Sequence, residues 1–335
     1  MPTKEELKKL QSDPLPQKVL LTKARIREWY YKWDGQVYVS FSGGKDSTVL
    51  LHLVREEFPD VQAVFVDTGL EYPEIKQFVK QHESVMILHP KMGFANVIRK
   101  YGYPILSKSI SRKISDYKRG KKYAMQFLDG VAVRKDGKLS KFNITKYKPI
   151  TQMDFNVSNK CCDIMKKEPL RRMIDKKPFT AQLANESKMR ESQWIAHGCN
   201  NFDSDHPISN PMSFWTEQDV LQYIKQNNIE ICLLYGDIIP EGGQMTLDGM
   251  ECKLCTTGCD RTGCIFCGYG AHLEKGEGRF ARLKRTHPKQ YDYCIGGGAY
   301  DPEDGLWKPD KNGLGMAHVF DELNKLYGRD FIKYK

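Results

Sequence analysis

The sequence predicts an α/β protein with a parallel β-sheet, followed by a smaller cysteine-rich region. Three observations support this fold class. Short apolar runs alternate with helical segments through residues 36–89, which is typical of parallel strands joined by right-handed crossovers. A turn of small residues follows the first of these runs. Beyond residue 229, glycine and cysteine become frequent and the alternation ends.

The expected elements follow in order along the chain. Residues 3–33 form one or two amphipathic helices interrupted by Pro14 and Pro16. Strands are expected at 36–41, 62–67 and 85–89, and helices begin near Asp46 and Pro73. A further strand lies within "DKKPFTAQLANES" at 175–187. A later helix has Thr216 as its N-cap, with Asp219 three residues on as an acidic variant of the capping box.

Composition and these elements predict three regions. Residues 1–35 form N-terminal helices, and residues 36–228 form an α/β domain that carries a basic insertion at 107–150. Residues 229–335 form a cysteine-rich and mainly helical region. The N-terminus is polar, without the apolar core of a signal peptide, and no stretch approaches the roughly 20 apolar residues of a membrane span. We therefore expect a cytoplasmic location and no membrane partner.

The net charge of +10 is concentrated in the basic insertion, where thirteen Lys and Arg stand against three Asp. Aromatic residues are interleaved with these charges: Tyr117, Tyr123, Phe127, Phe142 and Tyr147. Such a mixture can contact phosphates and stack on bases, which predicts contact with tRNA or DNA. The alternative is a solvated, lysine-rich surface.

A phosphate-binding loop is predicted in "VYVSFSGGKDSTVLLHLV" at 37–54. An apolar strand leads into Ser42, Gly43, Gly44, Lys45, Asp46 and Ser47, and a helix follows. Backbone N–H groups at a helix N-terminus favour an anion, glycines allow close approach, and Lys45 adds a positive charge. Asp46 after Lys45 excludes a Walker A loop, which needs Ser or Thr there. The alternative is a plain turn with Asp46 or Ser47 as N-cap.

The string "SFSGGKDST" resembles the SGGxDS loop of the PP-loop superfamily, the adenine nucleotide alpha-hydrolase-like proteins. Five further segments resemble the phosphoadenosine phosphosulfate (PAPS) reductase family and its iron–sulfur branch: "VFVDTGLEYPE", "CCDIMKKEPL", "ANESKMRESQW", "NPMSFWTEQDVLQYI" and "GCIFC". The resemblance covers residues 37–268, interrupted by the basic insertion. It implies a doubly wound parallel sheet of the PP-loop type, with the ligand at the carboxyl ends of the strands.

The resemblance also implies functional residues. The loop from Ser42 to Ser47 would hold the phosphates of ATP or PAPS, together with Mg²⁺, and Asp67, Thr68 and Gly69 would lie near the nucleoside. Glu186, Ser187 and Arg190 follow a later strand. Arg190 can pair with a phosphate or sulfate, or with Glu186 one helical turn away. Lys45, Asp46 and Arg190 are the expected catalytic residues.

Ten cysteines without a secretory signal indicate metal or redox chemistry rather than disulfides. Adjacent Cys161 and Cys162, with Cys264 and Cys267, resemble the set that binds a [4Fe–4S] cluster in adenylyl-sulfate reductases. Lys166 and Lys167 could offset the cluster's charge. Two alternatives stay open: a zinc site at Cys252, Cys255, Cys264 and Cys267, and a set of Cys255, Cys264, Cys267 and Cys294.

The resemblance leaves the reaction open. The family's reductases use a thiol in a C-terminal Glu-Cys-Gly-Leu-His motif, whereas the last cysteine here is Cys294 in "QYDYCIGGG". We therefore favour an ATP pyrophosphatase (adenylating) activity in sulfur transfer to nucleic acid or a related acceptor, with a separate sulfur donor. The alternatives are a sulfonucleotide reductase that uses another thiol and a thioredoxin-like reductant, and a non-catalytic nucleotide-sensing or nucleic-acid-binding module.

Overall fold

The computed structural model describes residues 2–242 and 253–335. Contacts divide them into two compact units. Unit 1 comprises the described residues of Met1–Asp67, Glu71–Leu88 and Leu170–Gly263, and unit 2 comprises Thr68–Leu70, His89–Pro169 and Cys264–Lys335. The basic insertion thus lies in unit 2, and the described residues of 229–263 lie in unit 1. The domain boundaries at residues 36 and 229 stay a prediction.

The described residues form short strands and mostly short helices. The strands are β1 Val37–Ser40, β2 Ala63–Val66, β3 Val85–Leu88, β4 Ile105–Leu106, β5 Lys177–Phe179, β6 Asn200–Asn201, β7 Ile208–Ser209, β8 Ile238–Pro240, β9 Leu254–Thr256, β10 Gly268–Tyr269, β11 Ala299–Tyr300 and β12 Trp307–Lys308. The α-helices are α1 Lys4–Ser12, α2 Leu15–Lys32, α3 Lys45–Glu57, α4 Pro73–Lys80, α5 Phe94–Tyr101, α6 Lys108–Lys118, α7 Lys122–Asp129, α8 Lys160–Cys162, α9 Glu168–Leu170, α10 Lys188–His197, α11 Glu217–Gln226, α12 Arg279–Thr286, α13 Pro288–Ile295 and α14 Met316–Tyr327.

Six strands of unit 1 form one sheet in the order β3-β2-β1-β5-β7-β6. Neighbouring strands are parallel except for the edge pair β6 and β7. The chain runs outward from β1 through β2 to β3, and later returns to the other side of β1 as β5. The strand order therefore reverses beside β1, which is the topology of a doubly wound sheet, and the predicted α/β fold class is confirmed.

Apolar residues on both faces of β1 explain why it lies at the centre of the sheet. Val37, Tyr38 and Val39 are all buried, as expected for a parallel strand covered on both sides. The strand is shorter than predicted, although the Phe41 N–H still donates to the Val64 oxygen at 2.9 Å. On the following helix α3, Leu50 and Leu53 are fully buried in the core of unit 1. The sheet thus holds the start of α3 in place.

The helices at the N-terminus pack on this core as two separate elements. Pro14 is the N-cap of α2 and Pro16 lies in its first turn, so the predicted interruption falls between α1 and α2. Lys18 of α2 forms a buried ion pair with Asp219 of α11, with Nζ and Oδ2 2.7 Å apart. Asp219 also accepts from the Thr216 N–H at 2.6 Å, which confirms the predicted helix start at Thr216.

The described residues of unit 2 combine helices with four small pairings of strands or bridges, one of them a parallel bridge between Tyr103 and Val157. β4 and β10 pair in parallel, which sets Ile105 opposite Gly268. β11 and β12 pair as an antiparallel hairpin. The basic insertion folds as α6, α7 and a 3₁₀ helix at Thr145–Gln152, with an antiparallel bridge between Val133 and Leu139. Within the described ranges of the chain, no helix has both the length and the apolar composition needed to cross a membrane.

Candidate functional site

The predicted phosphate loop is a short connection between β1 and α3, and serine hydroxyls fix its shape. The Ser42 N–H donates to Ser47 Oγ at 3.2 Å, and the two hydroxyl oxygens lie 3.0 Å apart. The Gly44 N–H donates to Ser42 Oγ at 3.3 Å, and Ser47 Oγ donates to the Gly44 oxygen at 2.9 Å. Gly44 is the N-cap of α3, so the loop lies at the positive end of the helix dipole.

Gly43 requires glycine for two separate reasons. Its φ of +71° lies in the left-handed region, where a side chain is strained. A Cβ at this position would also lie 2.9 Å from Ile75 Cγ2 and 3.0 Å from Val79 Cγ2, both on α4. Helix α4 therefore packs directly against the loop.

Lys45 is only 3% exposed, and groups of unit 1 hold both its ends. The backbone N–H donates to Tyr235 Oη at 3.2 Å. The ammonium donates to the Asp260 carbonyl oxygen at 2.5 Å and lies 2.9 Å from a carboxylate oxygen of Glu217. Tyr235 Oη is in turn 2.9 Å from Thr262 Oγ1. A buried lysine is tolerated because these partners compensate its charge.

Asp46, next along α3, is half-buried among charged neighbours. Burial raises the pKa of its carboxyl, while the positive charges of Lys45, Arg261 and Arg190 oppose that rise. The raised pKa reflects a carboxylate that is poorly solvated when ionised. Such a group is suited to a cation or a hydrogen-bond donor.

Arg190 pairs with Glu186, which was one of the two expectations for it. Glu186 also pairs with Arg261, whose Nη2 lies 2.7 Å from Oε1. Ser187 serves as the N-cap of α10, because its hydroxyl accepts from the Arg190 N–H at 3.3 Å. Burial lowers the pKa of Arg190, and the nearby positive charge of Arg261 lowers it further. Two guanidinium groups thus share one carboxylate.

The residues after β2 fall in different units. In unit 1, Asp67 Oδ1 lies 2.6 Å from the ammonium of Lys76 on α4. In unit 2, Thr68 is buried and its hydroxyl accepts from the Leu70 N–H at 3.2 Å, and Gly69 has a φ of +76°. Their predicted role near the nucleoside stays a prediction.

Sequence reasoning missed four residues around the loop: Tyr235, Glu217, Arg261 and Thr262. Glu217 begins the helix capped by Thr216, but a glutamate in a first helical turn usually signals only dipole compensation. Arg261 and Thr262 stand just before the predicted Cys264-x-x-Cys267 metal motif, whose pattern says nothing about the residues that precede it. The contacts themselves span 190 residues for Tyr235 and 215 for Asp260, and no local pattern predicts them.

The cysteines of the favoured set all belong to unit 2. Cys161 Sγ lies 3.9 Å from Cys162 Sγ and 3.8 Å from Tyr269 Oη. The Cys267 N–H donates to the Cys264 oxygen at 3.1 Å, so these two residues share a tight turn. The hydrogen bond from Cys161 lowers the pKa of Cys162 to about 6, although burial acts in the opposite direction. The positive charges of Lys108 and Lys166 lower this pKa further. Burial raises the pKa of Cys267.

The thiols of Cys162 and Cys267 have cationic side chains nearby, which bears on the suitability of the four cysteines of the favoured set as metal ligands. Thiol donors beside Lys108, Lys166 and Arg279 suit an anionic cluster. Lys167 instead pairs with Asp163 at 2.9 Å. In residues 2–242 and 253–335, no three or more Cys, His, Asp or Glu side chains are arranged as a metal site. The donor chemistry fits a cluster, and the ligand set stays a prediction.

The other candidate cysteines are placed differently. Cys255 in β9 and Cys259 belong to unit 1 and are partly exposed. Cys294 is fully buried in unit 2, with its thiol 3.4 Å from Met316 Sδ, and burial raises its pKa. Cys252 lies outside the described residues.

Several cationic side chains of the basic insertion form hydrogen bonds or ion pairs with other groups of unit 2. Lys118 Nζ donates to the Phe155 oxygen at 3.0 Å, and Lys148 lies 2.9 Å from a carboxylate oxygen of Asp129. Tyr147 is buried, so it is not available to stack on a base in this conformation. Phe142, in contrast, is 73% exposed. The most exposed apolar side chains of the insertion lie in the hairpin at 131–142. They are Val131, Val133, Leu139 and Phe142, among the exposed cations Arg134, Lys135, Lys138 and Lys141.

Comparisons with known proteins identify a family and several relatives. The model of the phosphoadenosine phosphosulfate reductase domain matches residues 36–104 and 118–268. Over 227 residues, the chain is 26% identical to adenosine 5'-phosphosulfate reductase of Staphylococcus haemolyticus, covering 65% of this chain and 73% of that protein. Over 86 residues, it is 31% identical to an uncharacterized protein of Methanocaldococcus jannaschii, covering 24% of this chain.

The coverage of these matches varies. The chain spans 21% and 18% of the length of two Methanocaldococcus jannaschii relatives. The crystal structure of PAPS reductase from Candida auris in a phosphate complex aligns with a TM-score of 0.37 and 15% identity, covering 70% of this chain and 91% of that one. The family model alone covers well over half of the sequence. The chain therefore belongs to the phosphoadenosine phosphosulfate reductase domain family.

Proposed function

We propose that the protein is an enzyme that binds the phosphates of an adenine nucleotide at residues 42–47. The observation that supports this most is the loop itself, a glycine turn between a central parallel strand and a helix N-terminus. Backbone N–H groups, two serine hydroxyls and Lys45 converge there. Such a loop at the carboxyl end of a strand, beside the point where strand order reverses, suits an anionic ligand.

The reaction that we propose is cleavage of ATP between its α and β phosphates. An oxygen of the acceptor attacks the α phosphorus, the bond to the β phosphate breaks, and pyrophosphate leaves. Lys45 and Arg190 would stabilise the negative charge that develops on the leaving group, and Asp46 would help to hold Mg²⁺, which supplies further charge neutralisation. A sulfur donor then displaces AMP from the activated acceptor.

Cys161, Cys162, Cys264 and Cys267 are the residues that would hold a [4Fe–4S] cluster, with zinc as the alternative metal. When bound, a cluster would supply electron or sulfur transfer chemistry. The chain's own contribution is the charge of Lys108 and Lys166 near Cys162. These cations would lower the cost of keeping thiolates in a partly buried place.

A sulfonucleotide reductase is the second candidate, since relatives bear the names adenosine 5'-phosphosulfate reductase and phosphoadenosine 5'-phosphosulfate reductase. Such a reaction needs an accessible thiol and a thioredoxin-like reductant. Cys294 is a poor nucleophile because it is fully buried. Cys259 is a better candidate, because it directly precedes Asp260, whose carbonyl contacts Lys45. PAPS would then replace ATP at the loop.

Nucleic acid, either tRNA or DNA, is the acceptor that we propose. The exposed hairpin at 131–142 supports this choice, since it combines Phe142 with four basic residues against one aspartate. An exposed aromatic ring can stack on an unpaired base while nearby cations contact phosphates. The hairpin would thus suit a single-stranded segment.

Product analysis tests the proposal directly. Anaerobically reconstituted protein is incubated with ATP and Mg²⁺, with and without RNA or DNA, and AMP and pyrophosphate are measured. We expect both products, and faster formation with one nucleic acid. Sulfite release from PAPS with thioredoxin, without AMP from ATP, would replace the proposal by the reductase. Tight nucleotide binding with neither product would leave only a sensor or binding module.

A further inference from the structure

We propose that Arg261 and Arg190 form a paired-arginine site for the terminal phosphate or sulfate of the nucleotide, and that residues 260–262 leave Lys45 when that anion binds. Arg261 is the new element of this site. The inference rests on the proposed function, because it assumes that the loop at 42–47 binds the nucleotide. It adds a binding residue, and a movement of the segment that carries it.

The first observation is that residues 260–262 occupy the position next to Lys45 where an anion would bind. The Asp260 carbonyl oxygen accepts from Lys45 Nζ at 2.5 Å. Thr262 Oγ1 would lie 3.5 Å from a Cβ added at Gly44, and Tyr235 Oη would lie 3.3 Å from it. A phosphate oxygen that approaches Lys45 from this side would compete with the carbonyl for the ammonium. The exchange is favourable, because a hydrogen bond between two charged groups is stronger than one to a neutral carbonyl.

The second observation is that the backbone is anchored just before and shortly after residues 260–262, and the anchor that follows is the Ile265 N–H, which donates to the Leu70 oxygen at 2.8 Å. The Gly258 N–H donates to the Tyr235 oxygen and the Cys259 N–H donates to the Leu234 oxygen, each at 2.9 Å. Residues 260–262 are instead held through single groups. The Asp260 carbonyl contacts Lys45, the Thr262 hydroxyl contacts Tyr235, and the Arg261 guanidinium contacts Glu186. Movement of these residues therefore requires no break in the anchor at Gly258 and Cys259.

The third observation concerns charge. Glu186 is the carboxylate shared by Arg190 and Arg261, so this trio carries a net positive charge, which the nearby Asp46 offsets when it is ionised. Lys45 is paired with Glu217. The side chain of Arg261 is 64% exposed, in contrast to the buried Lys45. Two guanidinium groups held this close repel each other, and a bound phosphate or sulfate relieves that repulsion through bidentate hydrogen bonds. Glu186 is then a positioning residue.

The test is equilibrium binding of inorganic pyrophosphate and of adenosine, measured by calorimetry on the full chain. Arg261→Ala should weaken pyrophosphate binding by about 10- to 100-fold, the effect of removing a charge-assisted hydrogen bond, and leave adenosine binding unchanged. The pyrophosphate affinity of Arg261→Lys should lie between those of the wild type and Arg261→Ala, because lysine keeps the charge and loses the bidentate geometry. Arg285→Ala is the matched control, since Arg285 is 65% exposed and pairs with Glu277 at 3.0 Å.

The outcomes separate this inference from the proposed function. Equal pyrophosphate affinity of the wild type and Arg261→Ala would overturn the paired-arginine site and leave the phosphate loop standing. A wild type that binds neither pyrophosphate nor ATP would overturn both. An equal loss in Arg285→Ala would assign the effect to general surface charge and would also overturn the site. Circular dichroism of each variant checks that it is folded.

Discussion

Lys45 illustrates how single residues prepare the loop before any ligand binds. Its ammonium is buried and held by the Asp260 carbonyl and by Glu217. A buried cation without partners would be strongly destabilising, so these groups stabilise the loop. In the binding that we propose, the nucleotide exchanges partners with Lys45, and residues 260–262 give way.

Asp46→Asn should stabilise the protein at neutral pH. Because burial raises the pKa of Asp46, the folded state favours the protonated carboxyl, and stability is lost as pH rises through that raised pKa. Asparagine has no charge to desolvate. Thermal unfolding without nucleotide or divalent cation should show a midpoint a few degrees higher near pH 7, with the gain shrinking below the ordinary carboxyl pKa of 3.8. Asp205→Asn, at an exposed site of unit 1, serves as the control. A gain that is independent of pH would contradict this explanation.

Gly43→Ala should destabilise the protein and abolish nucleotide binding. The substitution adds left-handed backbone strain to a clash with Ile75 and Val79. Gly120→Ala is a matched control, because Gly120 has the same φ of +71° and nothing within 4 Å of an added Cβ. We expect Gly120→Ala to cost about 1 kcal/mol and Gly43→Ala to cost clearly more in chemical denaturation. Similar losses in the two variants would show that α4 does not press on the loop.

At the scale of elements, the basic insertion is a folded part of unit 2 rather than a bare charged loop. Lys113 lies over the Phe127 ring, with Nζ 4.2 Å from its centroid, and Lys118 caps backbone oxygens. Its charge is therefore divided between folding contacts and the hairpin at 131–142. The hairpin combines four strongly exposed apolar side chains with four exposed cations, whereas Tyr123 and Met125, beside Lys121 and Lys122, are each only 38% exposed.

Phe142→Ala should weaken binding of single-stranded nucleic acid. Loss of one stacked base costs about 1–3 kcal/mol, a 5- to 150-fold change in affinity. Lys138→Ala with Lys141→Ala should instead reduce the salt dependence of binding, because fewer counterions are released. Fluorescence anisotropy with a labelled oligonucleotide measures both effects. Leu273→Ala, at an equally exposed apolar residue of unit 2, is the control. An unchanged affinity and salt slope would show that the hairpin is only a solvated surface.

Two cysteine variants distinguish the predicted metal sets. Cys161→Ser should lose bound iron and its visible absorbance after anaerobic reconstitution, since serine replaces a thiolate ligand. Cys255→Ser should retain both, because Cys255 lies in β9 of unit 1. Iron and zinc are measured by elemental analysis. Loss of metal in Cys255→Ser with retention in Cys161→Ser would favour the sets that include Cys255, and zinc without iron would refute the cluster.

At the scale of the whole molecule, local patterns predicted elements with strong sequence signals, such as β1, α3 and α11. They missed short elements such as β6 and β8, and the long-range contacts. The β1–loop–α3 unit was expected to within two residues, because an apolar run, a glycine pair and an amphipathic helix are adjacent in sequence. The helix start at Thr216 was also predicted from adjacent residues, because its capping box joins Thr216 and Asp219. The pairing of β4 with β10 was not predicted, since each strand has two residues and they lie more than 160 positions apart.

In the candidate site too, the residues that are adjacent in sequence were predicted and those that come from distant segments were not. Residues 42–47 could be found from sequence because the loop's chemistry is contiguous. Tyr235 and Arg261 could not, because a tyrosine in "LLYGD" and an arginine in "CDRTGC" have no local feature that indicates a phosphate. Their proximity to Lys45 and Glu186 comes from the packing of unit 1, which brings distant segments to one end of the sheet.

Nucleotide binding at Lys45 tests the central claim most directly. Calorimetric titration compares ATP, PAPS and adenosine on the wild type and on Lys45→Ala, with circular dichroism to establish that the variant is folded. We predict that ATP or PAPS binds the wild type at least tenfold more tightly than adenosine, and that Lys45→Ala loses most of this difference. Equal affinities for adenosine and both charged nucleotides, or a difference that survives in Lys45→Ala, would contradict phosphate binding at residues 42–47.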